Sequence, residues 1–121
     1  MYITRVGRWR VVHRQVDPRK DISSKELQAL ELRAAILVFT SGTVHGGEMK
    51  FARKAMGLRQ PELGKLLGVA AETVSRWETG ADSFKRYVSL AVLYLLEKYQ
   101  RTGDVLTKPK KPRVTSRKLV A

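Results

Sequence analysis

The stretch Gly57–Gly80, GLRQPELGKLLGVAAETVSRWETG, decides how this 121-residue chain is read. Leu63, Leu66 and Leu67 recur at i, i+3, i+4, the spacing of one helix face, and Val74 and Trp77 resume that spacing after a break. Leu58 and Val69 complete the apolar set. The break is Gly68, placed where a left-handed helix cap favours glycine, because no Cβ opposes a positive φ. Two short helices joined by so tight a turn, the second keeping a free polar side, have the sequence shape of a helix-turn-helix. DNA binding is the function the stretch predicts.

Composition points the same way. Lysine and arginine total 24 against 11 acidic residues, a formal net charge of +13. That balance favours a polyanionic partner, nucleic acid before an acidic membrane, although a merely soluble basic protein has the same charge. Residues 1–20 and 103–121 each carry six basic and one acidic side chain, so the two ends read as basic arms on a nearly balanced middle. There is no cysteine, which excludes disulfides and thiolate metal sites. No apolar run reaches the roughly 18 residues of a membrane span, and no signal-peptide core opens the chain. The expectation is a cytoplasmic, nucleoid-associated protein that needs no cofactor and touches no membrane.

Outward from the motif, residues 2–16 read as extended structure. Tyr2, Thr4 and Val6, then Trp9 and Val11, offer period-two faces on either side of Gly7, and a hairpin there must pack on something to be stable. His13 reads as a solvent-facing strand residue, since no ligand-type neighbours surround it. Asp17-Pro18 turns the chain. Ser23 to Glu26 forms a capping box that opens a long helix running to about Thr40, with Gly42 as its stop. Leu27, Leu30, Ala34, Leu37 and Val38 mark one face, and Ala35, Ile36 and Phe39 widen it, so the helix should be buried on two sides. Gly46-Gly47 reads as a joint before a helix over Glu48–Met56.

Beyond the motif, Gly80–Ser83 turns into a helix from Phe84 to about Gln100 that is apolar nearly all round. Such a helix is either ordinary core or core and homodimer interface together, and we expect the dimer. From Gly103 the chain is a proline-broken basic tail, either solubilising or laid along phosphates or a minor groove. The expected organisation is residues 1–45 as a strand-plus-helix module for dimerisation or a partner, 46–102 as the DNA-binding domain, and 103–121 as a flexible basic tail.

Phe51 to Leu58, Gln60-Pro61-Glu62-Leu63 and Val74 to Gly80 together resemble the XRE family, the lambda-repressor-like helix-turn-helix domains. The resemblance covers residues 48–100 and implies a mainly α fold, a lambda-repressor-like helical bundle preceded here by the short β segment and the long helix. It implies Ala71, Glu72 and Arg76 as base readers with Thr73 and Ser75 beside them, and Gln60, Thr79, Ser83, Lys85 and Arg86 as phosphate contacts. Arg53 and Glu78 match a structural ion pair, so neither is counted as a reader.

The residue chemistry agrees with the readers. With Val74 and Trp77 inward, Ala71, Glu72, Ser75 and Arg76 face out. Arg76 can bind guanine O6 and N7 with two parallel bonds, and Glu72 can accept from cytosine N4 or simply favour the helix dipole. Departures from the family pattern are Arg59 and Ala70 at the two N-caps, a loss of about 1 kcal/mol each if nothing substitutes, and Gly64 where relatives carry alanine, a small weakening. The layout also resembles two-domain antitoxins that bind zinc through CxxC pairs; those cysteines are absent here, so no metal site is carried over. Two functions follow. One is a homodimeric repressor reading double-stranded DNA. The other is an antitoxin whose residues 1–45 neutralise a toxin protein. An enzyme is not expected, because no acid–base–nucleophile constellation is present.

Overall fold

The β-branched and aromatic residues around Gly7 form an antiparallel hairpin, β1 (Tyr2–Val6) and β2 (Trp9–His13), in the computed structural model, which describes residues 2–14, 16, 17, 19 and 21–107. Pro18 of the expected turn and the tail over 108–121 lie outside the described residues. Val6 pairs with Trp9, Thr4 with Val11 and Tyr2 with His13, so the two-residue connection is Gly7-Arg8. Of these two, Gly7 takes a positive φ, 57°, as a turn with glycine at its first central position requires.

Among the described residues the rest is helical: α1 (Ser24–Ser41), α2 (Gly46–Ala55), α3 (Gln60–Leu67), α4 (Ala71–Thr79) and α5 (Arg86–Thr102). The fold is mainly α, with one short sheet at its N-terminal side. Ser23 caps α1 by accepting the Glu26 N–H at 3.2 Å. Val6 and Val11 pack on Ala34 and Val38 of α1, while Leu32, Ala35 and Phe39 of the same helix enter the main core with Met49, Leu63, Val74, Val92 and Leu96. α1 is therefore buried on two sides. Leu37 is the exception: it falls on the outer edge of the hairpin-facing stripe, beside Leu30, and is exposed.

Several local expectations are corrected. Gly46-Gly47 is not a joint but the first turn of α2. Its reason is contact, since a Cβ on Gly46 would collide with the Trp77 carbonyl oxygen and stand 2.6 Å from that of Glu78. Gly64 likewise is no simple weakening of α3, because a Cβ there would stand 2.6 Å from the Val69 carbonyl oxygen. The missing side chain lets the turn fold back tightly enough for Val69 N–H to bond the Gly64 carbonyl at 2.8 Å. The start of α3 is capped from the other direction: Glu62 accepts the Arg59 N–H at 2.9 Å, which supplies half a capping box without a hydroxyl. That bond holds the Glu62 carboxyl below its ordinary range. Of the two motif helices α4 is the one that begins without such help, as Ala70 has no side chain to give.

His13 is also placed differently. It shares the inward face with Thr4 and Val11, its Nε2 lies 2.9 Å from Thr4 Oγ1, and it lines a groove with Leu30 and Arg33. Burial and then the nearby Arg33 cation lower its pKa from the ordinary 6.5.

Candidate nucleic-acid interface

α4 is the element on which the candidate residues converge. Val74 is fully buried and Trp77 nearly so, with the Trp77 ring meeting Phe84 edge-on at 5.9 Å. These two anchors fix which side of α4 looks outward. Gly68 at φ 74° and Gly80 at φ 83° stop α3 and α4 in left-handed caps, where any Cβ would be strained. The two motif helices are thus short by construction and set against each other across Gly64.

The inner side of α4 is braced by charge. Arg53 Nε donates to Glu78 Oε2 at 2.7 Å and its Nη2 to Oε1 at 3.0 Å, a bidentate pair. Arg53 Nη1 also donates to the Leu58 carbonyl at 2.8 Å, tying α2, the α2–α3 link and α4 together. The side chains are 11% and 2% exposed, so this pair is out of reach of a ligand. Gln60, a sequence-predicted phosphate contact, donates its amide to Glu78 Oε1 at 3.2 Å. That bond positions the Gln60 side chain at the start of α3 and leaves its carbonyl oxygen for other donors.

The outer side of α4 is different. Glu72 and Arg76 are exposed, and Ala71, Thr73 and Ser75 are half-buried. Arg76 carries a second ion pair, which sequence reasoning missed: Nε donates to Asp82 Oδ2 at 2.6 Å and Nη2 to Oδ1 at 3.3 Å. The partners remain 59% and 48% exposed. Bonding to Arg76 lowers the Asp82 pKa, and the same contact raises that of Arg76. Asp82 lies six residues past Arg76, beyond the Gly80 cap, a spacing that helical periodicity does not flag. The signal available in the sequence was an acidic residue in the turn directly after a basic last helical turn.

Around this face stand the remaining candidates. Thr79 is exposed and its hydroxyl donates to the Arg76 carbonyl at 3.3 Å. Ser83, Lys85 and Arg86 are exposed along the loop and at the start of α5, where Lys85 is the N-cap residue. The structure therefore brings Arg76, Thr79 and Asp82 together, sets Ser83 to Arg86 on the following loop, and holds Gln60 against the inner brace. Among the described residues no three or more His, Asp or Glu side chains gather as a metal site.

With the geometry in hand, a helix-turn-helix family model matches residues 49–99, which run from within α2 to within α5. No curated protein and no solved structure matches the chain.

Proposed function

We propose, from the premise that residues 49–99 are an XRE-family helix-turn-helix domain and the chain therefore a DNA-binding transcription regulator, that it is a repressor binding a palindromic operator as a homodimer. The observation that carries this is the division of α4. One side is pinned by Val74, Trp77 and the buried Arg53–Glu78 pair, and the other is left solvated at Glu72 and Arg76, with Ser75 half-buried beside them. A rigid helix with a free polar edge is what major-groove reading needs.

In this reading Arg76 leaves or shares Asp82 to bond guanine, while Asp82 holds the guanidinium extended in free protein. Glu72 filters bases by accepting from cytosine and repelling phosphate, and Ala71 touches a thymine methyl. Thr73 and Ser75 flank them. Gln60, Thr79, Ser83, Lys85 and Arg86 fix register through phosphates. The regulator acts in the cytoplasm, on the nucleoid, without a cofactor.

The second protomer is supported by α5. Tyr87, Leu90 and Tyr94, at i, i+3, i+7, are 68%, 48% and 59% exposed and make one apolar stripe. Tyr87 lines a cavity with Leu67, Val69 and Trp77, so the stripe is continuous with the motif. Two copies related by a two-fold axis through this stripe would present two α4 helices to half-sites about one helical turn, roughly 34 Å, apart. Sedimentation of the full chain should give a dimer, and Leu90→Glu with Tyr94→Glu a folded monomer with weakened operator binding. An unchanged dimer would refute this interface.

A second reading has its own observation. Val11, Val12, Leu30 and Leu37 line an open groove of about 310 Å³ beside β2, with Arg14 and Arg33 at its edge. An acidic toxin with an apolar anchor fits that chemistry, and residues 1–45 would then be the antitoxin's neutralising part. Co-expression with the product of an adjacent gene should give a complex that Leu37→Glu breaks; failure of any such complex removes this reading.

A further inference from the structure

The tip of the hairpin lies beside the end of α4. Gly7 and Arg8 line one cavity of about 260 Å³ with Thr79 and Gly80. The tip is also seated firmly. A Cβ on Gly7 would collide with the Glu48 carboxylate, and a Cβ on Gly47 would stand 3.4 Å from Gly7 Cα. Behind it, Val6 is fully buried against α1. Gly7-Arg8 is therefore a fixed projection next to the loop that carries the candidate phosphate contacts.

Its charge is unbalanced. Arg5 stands directly opposite Arg10 in the strand register, and both are exposed, as is Arg8. Like charges in that position oppose hairpin formation. Among the described residues the ion pairs are Arg53–Glu78, Arg59–Glu62 and Arg76–Asp82, so none neutralises this trio. The carboxylates that share the cavity with Arg8 are Glu48 and Glu78. The first is 1% exposed and the second is engaged by Arg53. An external polyanion is the group that would relieve the repulsion.

We propose that the hairpin tip is a second DNA-contacting element, in which Arg5, Arg8 and Arg10 bind backbone phosphates flanking the base pairs addressed by α4. The inference rests on the DNA-binding reading above and adds a site to it. Phosphates rather than bases are assigned because the three guanidiniums lie across one strand pair and its turn, with no buried frame to aim them at a base edge. Cations of this kind add affinity through counterion release, independent of sequence.

The test uses the full chain, with salt titrations of its binding to a selected operator and to random duplex DNA. Arg5→Gln, Arg8→Gln and Arg10→Gln combined should lower the slope of log affinity against log salt by about 0.9 for each phosphate released. Affinity for operator and random DNA should fall by the same factor, about tenfold or more at low salt. The triple variant should melt no lower than the wild type, since a repulsion has been removed. A footprint shortened at its flanks, with the central protected bases unchanged, is also expected. If the variant keeps the wild-type slope, affinity and footprint, the hairpin site is wrong while DNA reading by α4 stands. If the wild type binds no duplex DNA, the functional reading itself has failed and the hairpin site fails with it.

Discussion

Two arginine–carboxylate pairs end on α4, and they differ in almost everything except chemistry. Arg53–Glu78 is enclosed, with side chains 11% and 2% exposed, and Gln60 and the Leu58 carbonyl complete its bonds. Arg76–Asp82 is open, at 59% and 48%, with Arg76 the one donor to the Asp82 carboxylate among the described residues. A buried pair is strongly destabilised by losing one partner, because the other charge is stranded away from water. An exposed pair is solvated on either side of its breaking and contributes little to stability. The same helix thus has a fixed side and an exchangeable side. On the DNA-reading role proposed for Arg76, that contrast would let α4 hold its place in the core while its outer arginine exchanges Asp82 for a base.

The contrast can be broken experimentally. Arg53→Ala or Glu78→Ala should destabilise the fold by about 3–5 kcal/mol, read from urea denaturation, and the double variant should lose less than the sum of the two. Additive losses would mean that the pair is not coupled. Next in size, Gly46→Ala should cost about 1–3 kcal/mol, because the new methyl meets backbone carbonyls of α4 that cannot swing aside. A neutral result would show that the α2–α4 contact is looser than its geometry.

On the open side the expected effects move from stability to recognition. Arg76→Ala should leave the melting temperature unchanged and relax discrimination at one base pair by roughly tenfold to a hundredfold. Lys85→Ala should weaken all sequences alike. The smallest effect concerns protons. Asp82 has a folded-state pKa below its ordinary 3.8, so its pairing is complete above that value and is lost as pH falls through the lowered one. An NMR titration of the Asp82 carboxyl should show this depression, and Arg76→Ala should return it to 3.8. A normal Asp82 in the wild type would mean that the pair does not form in solution.

The helices were largely legible in the sequence because their signals are local. Ser23 starts α1, Gly68 and Gly80 end α3 and α4, and the leucine spacing marks the inward face. What was not legible depends on chain segments meeting. Gly46 and Gly64 look like a joint and a weak helix residue until the carbonyls of Trp77 and Val69 are set against them. His13 and Leu37 exchange the environments expected of them, because the hairpin covers the middle of one stripe of α1 and leaves Leu37 uncovered at its outer edge. Arg76 could be picked from the resemblance and from its outward position, but Asp82 could not, since the reversal of direction at Gly80 brings it back. The hairpin arginines were visible only as net charge; their place beside Thr79 and Gly80 is tertiary information.

The most direct test of the central claim, that the outer edge of α4 reads DNA sequence through Arg76, is selection of bound duplexes from a random pool with the wild type and with R76A in parallel. The wild type should enrich a palindromic motif with half-sites about one helical turn apart or a multiple of it. R76A should recover the same motif with one position per half-site relaxed. A wild type that enriches no common motif, or an R76A that keeps every base preference, would contradict the account.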